Sequence, residues 1–191
     1  MKELILASSS PRRRELLSII TRRFTVQTSD CDEAIAPGTV RELSLRKARA
    51  VWAQQPNQRG LAVIGSDTVV YIDGEILGKP HSKEEAAEML RALSGRSHRV
   101  LTGVTVMGPK DTETHCEETS VVFREMSQAE IDWYVATGEP MDKAGAYGIQ
   151  GYAAIFIEKI DGDYYNVMGL PVCQVGLMLR RAGIPVLGAE A

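Results

Sequence analysis

Residues 61–72 read LAVIGSDTVVYI, a long run rich in β-branched residues that ends directly on Asp73-Gly74. Such residues fit a pleated, half-buried surface, so the run predicts a long strand. An Asp-Gly pair after it is a strong hairpin signal and turns the chain back through EILG at 75–78. The segments around this strand alternate in type. LILA at 4–7 predicts a short buried strand leading into a helix at 11–20, and FTVQTS at 24–29 predicts a second strand. A helix follows at 41–55. SKEEAAEMLRALSG at 82–95 predicts a helix with a capping box, Ser82 to Glu85, and a stop at Gly95. Strands are expected near 97–107 and 114–125, then a second capping box, Ser127 to Glu130, on a helix at 127–138. A glycine-rich loop at 138–151, a strand at 153–160 and a closing helix at 170–183 complete the chain. Crossovers and hairpins together imply an α/β fold with a mixed β-sheet and flanking helices. The 191 residues show no repeat, low-complexity tract or linker, so residues 1–191 are expected to form a single domain, with one lobe or two.

Asp67 interrupts the apolar run. Alternation places it on one face with Val63, Val69 and Tyr71. A carboxylate there has a raised pKa unless it is paired or bound to a metal. Two readings stand at this point: a structural partner for Arg13 or Lys47, or a working carboxylate. A two-residue turn at 73–74 would set Thr68 opposite Lys79, with Gly78 and Pro80 able to break the ladder beside it.

The segment SSSPRRRELL puts Arg12, Arg13 and Arg14 in the first turn of a helix, after a serine cap and Pro11. That end of a helix is already positive and favours acidic residues. At about 100° per residue, Leu16, Leu17 and Ile20 form the apolar stripe and Arg13 falls in its middle. Arg12 lies at its border, and Arg14 points away. An inward arginine needs an anionic or hydrogen-bonding partner: either a buried carboxylate, or an anion held by the helix N–H groups, the serine hydroxyls and Arg13 together. Several polar groups at one strand-to-helix turn favour the anion. Lys47 repeats the pattern, lying on a helix face with Leu43, Ala50 and Val51; a snorkelling lysine is the plainer reading.

Asp30, Asp32 and Glu33 make an acidic loop, either solvated or able to hold a hard cation. Gly145, Gly148 and Gly151 space the loop AGAYGIQG, and Gln150 within it offers one donor and one acceptor suited to a base edge. The formal net charge of -3 and the lack of a basic stripe argue against nucleic acid as partner. Three separated cysteines without a CxxC pair suggest reduced thiols rather than a zinc site or a disulfide framework. No stretch reaches the roughly 18 apolar residues of a membrane span, so a soluble, cytoplasmic protein is expected.

The ordered set LASSSPRRRELL, Glu33, the helix bearing Lys47-Ala48, GSDTVV, LGKP and AGAYGIQG resembles the Maf family of nucleoside triphosphate pyrophosphatases, from residue 4 to about 183. The resemblance implies an elongated α/β fold like that of inosine triphosphate pyrophosphatases, with a cleft between two lobes. It also implies hydrolysis of a nucleoside triphosphate to the monophosphate and pyrophosphate in a housecleaning role, and a homodimer. By the same resemblance Asp67 is the proton acceptor, and Ser8, Arg13, Lys47 and Lys79 handle phosphate. Glu33, together with Asp67, is placed at a divalent cation, magnesium first and manganese as the alternative. Arg12, Thr68 and Gln150 match positions linked to substrate choice, in the form resembling the subgroup that acts on dTTP and UTP. A non-catalytic nucleotide-binding regulator of cell division is the alternative reading of the same basic pocket. A glycosidase using two carboxylates fits poorly with the clustered cations and with 6% aromatic residues.

Overall fold

The structure, a computed structural model, describes residues 3–28 and 40–187. Strand β1 (Glu3–Ala7) leads into helix α1 (Pro11–Ile20), then β2 (Thr25–Val26) and α2 (Val40–Ala53). Strands β3 (Leu61–Ile72) and β4 (Glu75–Leu77) form the hairpin, followed by α3 (Lys83–Leu93), β5 (Ser97–Met107) and β6 (Thr112–Phe123). Helix α4 (Gln128–Ala136), short 3₁₀ turns between residues 139 and 156, β7 (Ile157–Asp161), α5 (Tyr164–Met168) and α6 (Val172–Arg181) complete the chain. The sheet is mixed, in the order β2-β1-β3-β5-β6-β7, with β4 also on β3. Strand β1 runs parallel to β2 and β3, as crossovers through α1 and α2 require, whereas β3–β4 and β6–β7 are antiparallel. Among the described residues no helix is long and apolar enough to cross a membrane.

The chain divides into two compact units, one of Met1–Asp67, Thr102–Glu117 and Gly169–Ala191, the other of Thr68–Leu101 and Glu118–Met168. In the first, alternation along β1 and β3 feeds two faces. Ile5, Ala7 and Val63 pack with Ala48 and Val51 of α2. On the other face, Leu16, Leu17 and Ile20 of α1 are buried, and α1 packs along α6, which buries Val175, Met178 and Leu179. Two glycines let α2 lie close. A Cβ at Gly65 would run into the Ser44 carbonyl and the Ala48 amide, and one at Gly103 into the backbone of Val40. The second unit has its own core, in which Val70, Leu90, Val100, Phe123, Tyr134, Tyr147 and Phe156 are packed together.

The hairpin register agrees with the two-residue turn: Ile72 pairs with Glu75 and Val70 with Leu77, and the ladder stops there. Asp73 and Gly74 both have positive φ, 53° and 89°, as this turn demands. Three expectations need correction. Residues 152–156 are a 3₁₀ turn rather than the start of a strand, and β7 begins at Ile157; burial of Ala153 and Phe156 as a plug outweighs their strand-like run. The 138–151 segment, expected as a glycine-rich loop, carries two short 3₁₀ turns, Glu139–Asp142 and Ala144–Ala146. Ser82 caps α3 by accepting from Glu85 N, but the Glu85 carboxylate turns to the His81 amide, so the box is half made there and complete only at Ser127–Glu130.

Candidate active site

Strand β1 ends at Ala7, level with Gly65 of β3. Beyond that level the chain offers Ser8, Ser10 and the first turn of α1 on one side, and Ser66 and Asp67 on the other. Ligands of open α/β sheets bind at such carboxyl ends. Ser10 caps α1, its hydroxyl accepting from Arg13 N at 3.4 Å. No acidic residue stands in this first turn. The buried Ser8 hydroxyl accepts from the Ser10 amide at 3.2 Å and from Arg13 Nη1 at 3.4 Å.

Arg13 turns inward, as the helical wheel requires, and donates through Nε to the Gly169 carbonyl at 2.9 Å. The fully buried Ser66 donates its hydroxyl to the same carbonyl at 3.0 Å. One backbone oxygen therefore ties the N-terminal turn of α1 to the residue that precedes Asp67. Gly169, at φ 109°, presents it. Neither Gly169 nor Ser66 was singled out from the sequence. The only hint was a Gly-Leu-Pro break ahead of the last helix.

Asp67 is approached from the other face. Lys47, 6% exposed on α2, donates to Asp67 Oδ1 at 2.6 Å. The lysine is thus neither snorkelling nor solvated; it is brought in by the close seating of α2 on Gly65. Arg12 is half-buried in the first turn of α1. As a hard oxygen donor, Asp67 suits a divalent cation, and magnesium typically takes one or two carboxylates and completes its shell with substrate phosphates and water. Among the described residues no three acidic, histidine or cysteine side chains come together as a ready-made cage. Glu33, with Asp30 and Asp32, lies outside the described residues.

The second unit holds the remaining candidates. Thr68 is half-buried, and Lys79 is exposed in the segment after β4. The Gly78 carbonyl, immediately before Lys79, accepts from the Gly145 amide at 3.0 Å, which joins the LGKP segment to the glycine-rich stretch. Gly145 has φ 68° and lies against Val70, where a Cβ would meet Cγ2 at 2.7 Å. Gln150 is exposed in a turn closed by Gly151 N to Gly148 O at 3.0 Å. Beneath this turn sit Tyr134 and Glu139, also missed from the sequence. Tyr134 falls on the buried side of α4 and reads there as core. Burial raises its phenol well above the usual range, and the Glu139 carboxylate pushes the same way.

Residues 3–182 match the family model described as Maf-like protein. The chain belongs to this family. Several relatives are named dTTP/UTP pyrophosphatase. The one from Symbiobacterium thermophilum is 54% identical over 197 residues, covering 100% of both chains. One from Geobacillus is 50% identical, covering 96% of this chain and 100% of the relative, and one from Thermotoga maritima is 48% identical, covering 94% and 89%. Two solved structures share the fold. The Staphylococcus aureus Ham1 protein has a TM-score of 0.57 at 15% identity, and a HAM1 protein from Coxiella burnetii has 0.55 at 20%. Each covers 95% of this chain and is itself covered in full, at 100%.

Proposed function

We propose that this chain is a nucleoside triphosphate pyrophosphatase that hydrolyses dTTP and UTP to the monophosphate and pyrophosphate. The naming of the full-length relatives supports the activity. The observation that carries it in the structure is the shared Gly169 carbonyl, which joins Arg13 at the α1 N-terminus to the Ser66–Asp67 step where Lys47 arrives.

In this reading the α1 N-terminus, the serine hydroxyls and Arg13 receive phosphate oxygens, since free N–H groups and guanidinium both suit them. Asp67 takes the proton of a water that attacks the α-phosphorus. Lys47 orients that carboxylate and, with Arg13, meets the negative charge that grows on the departing pyrophosphate. A bound divalent cation, magnesium or manganese, would neutralise phosphate oxygens as a Lewis acid, with Asp67 and Glu33 as the carboxylates assigned to hold it. We assign Lys79 to phosphate, and Arg12, Thr68 and Gln150 to substrate choice, on the motif match. The same match supports taking residues 1–191 as one domain and the working form as a homodimer.

The test is separate measurement of pyrophosphate and orthophosphate from dTTP, UTP, CTP, GTP and 7-methyl-GTP with magnesium. Pyrophosphate from dTTP and UTP is expected. Asp67→Asn should retain nucleotide binding and lose about 10²–10⁴ in turnover, the usual share of a general base. Binding without turnover by the unaltered protein would instead favour the regulator.

A further inference from the structure

The turn that carries Gln150 is held at both shoulders by one carboxylate. Glu139 Oε1 accepts from the Tyr134 hydroxyl at 2.9 Å, and that hydroxyl accepts from the Gly148 amide at 3.1 Å, at the entry of the turn. Glu139 Oε2 accepts from the Tyr152 amide at 3.0 Å, just past its exit. A Cβ at Gly151 would collide with the Glu139 carboxylate, so the turn lies directly on it. At Gly148 a Cβ would meet Lys143 Cε at 2.6 Å, and Lys143 Nζ donates to the Glu139 carbonyl at 2.7 Å. Ile149 is buried at 7% while Gln150 points out. Tyr134 is fully buried and anchors the assembly in the core of its unit.

This is more fixation than a surface turn of four residues needs. A carboxamide reads a base only where it is presented in a set place. Uracil and thymine offer a carbonyl acceptor beside an N–H donor, and a glutamine side chain matches that pair with one donor and one acceptor. Cytosine presents the reverse order, which the same carboxamide meets only after a half-turn about its terminal torsion. A backbone displacement of about 1 Å at Gln150 would weaken two hydrogen bonds together.

We infer that Glu139 and Tyr134 are positioning residues that hold Gln150 for pyrimidine-base selection, an inference that rests on the assignment of Gln150 to substrate choice above. Neither residue touches the substrate; both act through the backbone of residues 148–152. Glu139→Gln keeps the size but cannot accept both the phenol and the Tyr152 amide in the same way. Tyr134→Phe keeps the buried ring and removes only the hydroxyl bridge.

The experiment compares kcat/KM for UTP and for CTP, with magnesium, in the full-length protein, its Glu139→Gln, Tyr134→Phe and Gln150→Ala variants, and each positioning change combined with Gln150→Ala. Thermal melts run alongside. Gln150→Ala is expected to lower the UTP-over-CTP preference. Glu139→Gln and Tyr134→Phe should each lower it about three- to tenfold, the size of one neutral hydrogen bond, chiefly by raising KM for UTP. On the Gln150→Ala background neither should lower it further. Preference retained in both positioning variants while Gln150→Ala loses it overturns the inference. So does a loss that adds in full on the Gln150→Ala background, because the residues would then act elsewhere. Preference untouched by Gln150→Ala itself overturns the base-edge role of Gln150, and the positioning role falls with it. Melts separate these from simple unfolding, which would cut both nucleotides alike.

Discussion

Lys47 and Asp67 form the ion pair that the structural reading of a carboxylate in an apolar strand requires, and a double substitution separates that reading from the working one. Their side chains are 8% and 13% exposed, and the ion pair is short, at 2.6 Å. Removing one member of such a pair leaves the other charge buried and unmatched, which typically costs about 3–5 kcal/mol, whereas replacing both by apolar groups is often neutral. Lys47→Met is therefore expected to lower unfolding stability by that order in urea titration. The double change Lys47→Met with Asp67→Leu should recover most of the stability and none of the pyrophosphate release. Recovery of both would leave Asp67 a structural residue only. The inward aim of Arg13 was legible from helical spacing, because the stripe Leu16, Leu17 and Ile20 fixes the wheel. Its partner was not. A backbone carbonyl 156 residues away carries no side-chain signature and depends on how the closing helix is entered.

At the level of elements, the site depends on how closely α2 lies on the sheet. Lys47 reaches Asp67 because Gly65 admits the α2 backbone at Ser44 and Ala48. Gly65→Ala places a methyl group where backbone atoms stand, and backbone yields less readily than a side-chain tip. We expect a destabilisation of about 1–3 kcal/mol, the range for overpacking, and a drop in turnover larger than the change in melting temperature alone explains. Gly78→Ala is the control, since nothing lies within 4 Å of the added carbon; its activity and melting temperature should stay near those of the parent. Sequence periodicity recovered this framework well. Helix α2 was expected at 41–55 and runs over Val40–Ala53, and the long strand at 61–72 matches β3. It failed where a segment is short or aperiodic. Helix α5 is only five residues, too few to show a period, and the 152–156 turn buries only Ala153 and Phe156, three apart, while Tyr152 and Ile155 are each 58% exposed, so its apolar run did not mark a strand. The clamp on Gln150 was equally hidden, since Tyr134 reads as core and Glu139 as an ordinary surface acid until the fold brings residue 148 back over them.

Over the whole molecule, each compact unit contains one of the two tryptophans, Trp52 on α2 in the first and Trp133 on α4 in the second. This allows acid sensitivity to be traced to its source. His98 is 2% exposed in the second unit, its Nε2 hydrogen-bonded to the Tyr147 hydroxyl at 2.8 Å and its ring edge-on to Phe123 at 5.1 Å. Burial lowers its pKa from 6.5 to about 4. Folding therefore favours the neutral ring. The unfolded chain takes up a proton first as pH falls below 6.5, so the stability present above that value drains away down to about pH 4. A depression of this size corresponds to about 3 kcal/mol across the window. Urea unfolding followed through Trp133, in a Trp52→Phe background, should show that loss between pH 6.5 and 4. His98→Gln should flatten the slope while lowering stability at neutral pH, because the ring's packing against Phe123 and Tyr147 is removed. The complementary Trp133→Phe background, read through Trp52, shows whether the first unit feels the same proton. A matching pH slope there means the two units unfold as one cooperative body, and a flat one means the histidine governs its own unit alone. An undiminished slope in His98→Gln would move the acid sensitivity to another group.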